Sequence, residues 1–164
     1  MKDGFKVGGF FDVICYDPDG NIKWQDKAKN LVTNEGLDHI LDVVLHNATQ
    51  ETTWYVGLTD GTPTTDATDV MTDHTGWSEV TAYTGDRQEY VEAAASSQSI
   101  DNSASKASFS INADSTTVGG AFLTAAATGT ADVLLCVAAF TGGDKSADNG
   151  DTLEVVYTIS ASDA

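Results

Sequence analysis

Leu153-Glu154-Val155-Val156-Tyr157-Thr158-Ile159-Ser160 sets Leu153, Val155, Tyr157 and Ile159 on one side of an extended chain and Glu154, Thr158 and Ser160 on the other. Successive side chains of a strand point to opposite faces, so this period of two predicts a strand with one face in a core and one in water. The same alternation sits upstream, where Ala107, Phe109 and Ile111 interleave with Ser108, Ser110 and Asn112. Val133 to Phe140 is instead apolar almost without a break, as a central strand covered on both faces would be, and flanking glycines favour a strand over a short buried helix. Between these, Val118 to Thr124 reads as a further strand after an Asp114-Ser115 turn.

Toward the N-terminus, Phe5 to Tyr16 reads as a strand with Phe11, Val13 and Cys15 on one face. Asp17-Pro18-Asp19-Gly20 then supplies a proline that presets φ and a glycine that accepts positive φ, and Asn21 to Val32 resumes with Ile22 and Trp24 on a common face. Residues 5–32 therefore form a hairpin. Thr33 and Asn34 can cap a helix, and Leu37, Ile40, Leu41, Val44 and Leu45 follow at three- and four-residue steps, with Asp38, Asp42 and His46 on much of the opposite face. That spacing predicts an amphipathic helix lying against a sheet. Period two returns at Trp54, Val56 and Leu58; Thr59 to Gly76 has no period and reads as an exposed loop. Further strands are expected at Trp77 to Tyr83 and Arg87 to Ala94, with a polar linker near residues 96–105.

Eight or nine strands joined mostly by short turns, with one helix, predict an all-β chain: an antiparallel β-sandwich or jelly roll with one amphipathic helix near residues 34–46, as a single domain over 1–164. A parallel α/β fold would need a helix between most strands. The expected core includes Trp54, Val56, Phe109, Ile111, Phe122, Leu135, Val155, Tyr157 and Ile159.

Eight Lys and Arg stand against 25 Asp and Glu, for a formal net charge of -17. Such a field disfavours nucleic acid and other polyphosphates as partners. Met1-Lys2-Asp3-Gly4 lacks the basic and apolar regions of a signal peptide and no run reaches the length of a membrane span, so synthesis in a cytoplasm and no membrane partner are expected. Cys15 and Cys136 lie far apart in apolar segments and are expected to be buried free thiols.

Catalytic signatures are missing from the sequence. No G-x-S-x-G occurs, and His39, His46 and His74 lack further ligands at zinc spacing. Asp17-Pro18-Asp19-Gly20-Asn21 opens like a calcium loop, but Ile22 stands where glycine is needed and Ala28 where a bidentate acid is needed. Asp60, Asp66, Asp69 and Asp73 are expected to be solvated carboxylates on a loop rather than a calcium site. Gly8-Gly9 and Gly119-Gly120 do not lead into a phosphate-binding helix and read as strand bends or close backbone contacts. Trp24, Trp54 and Trp77 fit core or interface positions. No enzyme activity is expected, and no catalytic, cofactor-binding or metal-binding residue is predicted.

Several stretches resemble a family of small phage virion proteins. They are Asn30-Leu31-Val32-Thr33-Asn34-Glu35-Gly36-Leu37, Thr53-Trp54-Tyr55-Val56-Gly57-Leu58, His74-Thr75-Gly76-Trp77-Ser78-Glu79, Ala104-Ser105-Lys106-Ala107-Ser108-Phe109-Ser110-Ile111, Gly120-Ala121-Phe122-Leu123 and Gly150-Asp151-Thr152-Leu153-Glu154-Val155-Val156-Tyr157-Thr158-Ile159. The resemblance spans roughly residues 30–160 and is to the jelly-roll cement, or decoration, proteins of short-tailed bacteriophages. It implies a structural homo-oligomer, a dimer or trimer, that binds the major capsid protein on the outer surface of the virion and is present in the host cytoplasm during assembly, with the 5–32 hairpin or the 59–76 loop available to reach a neighbouring subunit. The alternative it leaves open is a tail or fibre module that binds host glycans.

Overall fold

The computed structural model describes residues 4–163. In chain order the elements are β1 (Phe5–Tyr16), β2 (Ile22–Lys29), β3 (Leu31–Val32), α1 (Asn34–Leu45), β4 (Tyr55–Thr59), β5 (Gln88–Glu89), β6 (Ser99–Asp101), β7 (Ala107–Ser110), β8 (Thr116–Val118), β9 (Gly120–Thr124), β10 (Leu134–Ala139), β11 (Lys145–Ala147) and β12 (Thr152–Asp163). The chain is all-β, a sandwich with a single helix. One sheet has the order β2-β1-β12-β6, with β7 also pairing β12; the other runs β3-β10-β9-β4-β5, and β8 and β11 form a small third ladder. Every pairing is antiparallel.

The strand that decides the fold is also its centre. β12 pairs with β1 from Thr152↔Tyr16 to Asp163↔Phe5, and on its other edge with β7 and then β6. Leu153, Val155 and Tyr157 are fully buried, facing Phe11, Val13 and Cys15 of β1 on the same inner face. Val56, Leu58, Ala121, Leu123, Cys136 and Ala138 close the core from the second sheet. Gly9 is needed where the two long strands cross closely, since a Cβ there would strike the Thr158 carbonyl.

The turn at 17–20 forms as expected. Asp17 Oδ1 accepts from the backbone N–H groups of Asp19 and Asn21, and Gly20 adopts φ 85°. The hairpin belongs to the sheet, with β2 at one end of the strand order. A register shift between Cys15 and Tyr16 turns Ile22 outward while Trp24 stays half-buried, so the common face expected for the pair is broken. The segment expected as one strand from Asn21 to Val32 divides at buried Asn30, where the chain leaves one sheet and enters the other.

Further expectations are corrected. The Thr59–Gly76 loop is not a solvated excursion: Met71 and Trp77 at its end pack on Phe122, Leu134 and Val137, forming a second small core on the outer face of the β9–β10 sheet. That lid explains why Val133 to Phe140 is apolar on both faces. Trp77 to Tyr83 makes only isolated bridges, Thr59↔Glu79 and Tyr83↔Ile111, and of Arg87 to Ala94 only Gln88–Glu89 is a strand. The polar linker near 96–105 contains β6, whose Ile100 pairs with Ile159. Val118 to Thr124 breaks at Gly119, where a Cβ would collide with the backbone of Gly61 and Thr62, so the close contact expected of that glycine pair is made against the lid loop. These short segments raise the number of strands above the eight or nine expected; five of the twelve are only two or three residues long.

The helix begins as its sequence dictates. Thr33 Oγ1 accepts from Gly36 N at 3.0 Å, and the same hydroxyl donates to the Leu134 carbonyl at 2.5 Å. Glu35 in the first turn accepts from Leu134 N at 2.8 Å, so the helix start is fastened to the irregular end of β10. Gly36 sits directly on Leu135, leaving no room for a methyl group against that carbonyl. Gly36→Ala is expected to destabilise the protein by about 1–3 kcal/mol through this overlap, despite alanine's better helix propensity. The check is a lower denaturant midpoint at unchanged slope.

Candidate functional site

The expected inward face of the helix is where sequence and structure part. Leu37 is 38% exposed, Leu41 49%, Val44 71% and Leu45 79%; of the stripe, Ile40 is the member that packs against the core. The helix is amphipathic, but it is attached by its N-terminal turn and Ile40, and most of its apolar stripe faces outward. Apolar residues scattered over a surface need no explanation, whereas a contiguous set on one helix does.

Beside the helix the two sheets part to leave an apolar cleft of about 480 Å³. Ile100 and Ile159 line it from the β12 sheet, Leu123 and Leu135 from the other, Ile40 from α1, and Trp54 and Tyr90 from the flanking segments. Its rim carries Gln50, Glu51, Thr52 and Glu92. A shallower apolar groove of about 330 Å³ adjoins it, sharing Ile40, Ile100 and Ile159 and adding Phe5 and Val7. Ile40 lines both the cleft and the groove, while Leu37, Leu41, Val44 and Leu45 stand exposed on the same helix and line neither. Trp54 and Ile159, expected in the core, are half-buried and stand in the cleft wall.

The three tryptophans have different surroundings. Trp77 is buried, stacked on His74 at 3.8 Å, with its indole N–H donated to Asp69. Trp24 packs near Phe140 and donates to the Ser146 carbonyl at 2.8 Å. Trp54 has His39 edge-on to its ring at 5.6 Å and opens on the cleft.

The acidic loop residues do not converge. Asp69 is buried and accepts from Trp77 and from Asp66 N; Asp66 accepts from Thr68 N and Oγ1 and titrates below the usual carboxylate range because of those bonds. Both therefore hold the lid in shape. Among the described residues no group of three or more His, Cys, Asp or Glu side chains is placed to hold a metal ion. His39 and His46 share the helix region, but His39 meets Trp54 and His46 is the C-cap.

Other polar groups the sequence did not single out are internal fasteners. Asp151 is buried at the start of β12 and accepts from Lys23 at 2.6 Å and from Asp148 N at 2.7 Å. Asn102, fully buried, donates to the Val155 carbonyl and accepts from Tyr157 N, capping the edge of β12 between β7 and β6.

Cys15 and Cys136 are buried free thiols. Burial, reinforced by the Asp151 carboxylate, pushes the Cys15 thiol up to about 12, and burial pushes Cys136 to about 11. Burial also raises Tyr83, Tyr90 and Tyr157. In the unfolded chain these thiols release protons from about pH 9, while the folded protein keeps them. The native state then binds more protons, so stability is full below pH 9 and falls as pH rises through 11 to 12. Denaturant midpoints measured at pH 8 and at pH 10.5, roughly mid-window, are expected to show that loss.

No helix among the described residues is long and apolar enough to cross a membrane. No family model matches the chain, and no curated protein matches it.

Proposed function

We propose that the protein is a structural virion subunit, a cement or decoration protein that adheres to the outer surface of a phage capsid. The observation that carries this reading is the exposed apolar stripe of α1, Leu37, Leu41, Val44 and Leu45, on the helix whose Ile40 borders an apolar cleft. A chain standing alone would leave that surface wet, and covering it against a neighbour is favourable by roughly 25 cal/mol per Å². The resemblance over residues 30–160 supplies the kind of neighbour, the major capsid protein, and the jelly-roll connectivity belongs to the same proposal. A subunit that bridges two shell proteins gains through effective concentration, so modest individual contacts suffice. Its acidity keeps many displayed copies soluble and away from nucleic acid. Self-association as a dimer or trimer would use a different surface, the tip of the 5–32 hairpin, where Ile22 is exposed; farther along β2 the 141–146 segment already bonds to Trp24, Asp26 and Lys27.

The glycan-binding alternative rests on Trp54, since Trp24 and Trp77 are tied to groups inside the fold. The cleft beside Trp54 is walled mainly by aliphatic side chains, which suits an apolar side chain better than a sugar. Particles lacking the protein are expected to lose their contents at lower temperature and under milder osmotic shock than complete ones. Equal survival would remove the stabilising role.

A further inference from the structure

We infer that the α1 flank docks an amphipathic, cation-flanked segment of a partner protein, and not a second copy of this chain. The inference rests on the reading of the protein as an adhering subunit and names the chemistry of what it adheres to. Charge separates the two occupants. On helix α1, Asp38 and Asp42 are exposed next to Leu37 and Leu41, on the outward side and not opposite the exposed stripe, with no Lys or Arg on the helix, and the cleft rim adds Glu51 and Glu92. Elsewhere among the described residues Lys23, Lys27, Arg87, Lys106 and Lys145 are each paired with a carboxylate of the fold, and Lys6 and Lys29, in no such pair, stand on β1 and β2 and not on α1. A second copy laid on this face would bring Asp38 and Asp42 against their own likes, and like-charge juxtaposition opposes association. A segment with Lys or Arg beside its apolar residues meets the same carboxylates as attractions.

The shape specifies the segment further. Leu37 to Leu45 spans about 12 Å, a little over two helical turns. An amphipathic helix of similar length can lie along it, reading Leu37, Leu41 and Val44 with residues at three- and four-residue spacing. The cleft beside Ile40 accepts one large apolar side chain as the anchor of the contact.

The test uses the whole protein and a synthetic helical peptide of leucine at three- and four-residue spacing flanked by lysine. Controls are a scrambled peptide of equal composition and an isomer with glutamate for lysine, all followed by calorimetry. The lysine peptide is expected to bind about tenfold or more tightly than either control, to weaken as salt is raised, and to lose about tenfold on L41S/V44S. Both residues are exposed, so the variant should keep the melting temperature of the parent; Val44→Ser alone should shift affinity in the same direction. Equal binding of the scrambled peptide, or no loss in the variants, would overturn the inference. So would a dimer that L41S/V44S dissociates, or equal adsorption of the protein to anionic lipid vesicles. If the peptide fails while the protein still coats particles, the docking chemistry falls alone. If the peptide binds and particles lack the protein, the decoration reading falls alone.

Discussion

Tyr157→Ala is expected to lower folding stability by about 3–5 kcal/mol, the range for truncating a fully buried aromatic. The side chain sits at the junction of both sheets. Its ring stacks on Phe11 at 4.2 Å, its hydroxyl accepts from Asn30 Nδ2 at 2.8 Å, and the Sγ of Cys136 on β10 lies 3.3 Å from that oxygen. Asn30 in turn accepts from Gly9 N at 2.6 Å, so one network ties β1, β12, β10 and the crossing point between the sheets. Alanine would open a cavity and strand the Asn30 amide. Tyr157→Phe isolates the second effect and is expected to cost about 1–3 kcal/mol, because the ring stays and only the acceptor is lost. Thermal melts should separate the two, with a drop of roughly 10 °C for alanine and less for phenylalanine.

Arg87→Met is the second large effect, about 3 kcal/mol or more. The Arg87 side chain is 4% exposed and four of its five N–H donors are used: Nε and Nη2 donate to Glu79 at 2.8 and 2.7 Å, Nη1 to the Ala126 carbonyl at 2.8 Å, and Nη2 to the Gly129 carbonyl at 2.9 Å. The guanidinium also lies 5.4 Å over Phe122, next to the small core beneath the lid. Methionine keeps much of the volume and removes the charge, leaving a partly buried Glu79 carboxylate and two carbonyls without their donor. If that orphaned charge dominates, adding Glu79→Gln to Arg87→Met should recover part of the loss in urea unfolding. A double variant no more stable than the single would place the cost in the carbonyls.

Much of the sandwich was legible because its determinants are local. The alternation in β12 and β7, the Asp17-Pro18-Asp19-Gly20 turn and the Thr33 cap each encode their geometry within a few residues. The unbroken apolar run of β10 also announced two covered faces, though not that the 59–77 loop supplies one cover. That cover depends on Met71 and Trp77 meeting Phe122, contacts between residues far apart in sequence. β6 and β11 are strands because the edges of β12 and β8 supply partners, and three residues apiece, each with a single apolar side chain, carry no local sign of it. Burial of Asp69, Arg87 and Asp151 was likewise hidden, since a charged residue looks the same in sequence whether its partner is water or a guanidinium.

The candidate site was read only in part. The helical spacing of Leu37, Ile40, Leu41, Val44 and Leu45 correctly marks an apolar face, but periodicity says nothing about what covers it. Gly36 and the Thr33 and Glu35 contacts dock the helix by its first turn, and that attachment turns the rest of the stripe outward. Trp54 and Ile159 carry a core pattern and yet line the cleft, because Trp54 lies just before β4 begins and Ile159 lies toward the far end of β12, where the sheets part.

Imaging of intact particles at a resolution that orients the subunit tests adhesion through this flank most directly. Many copies are expected over the outer head, with Leu41 and Val44 buried against the shell protein. Copies confined to the tail, or a head-bound subunit whose α1 faces solvent, would contradict it.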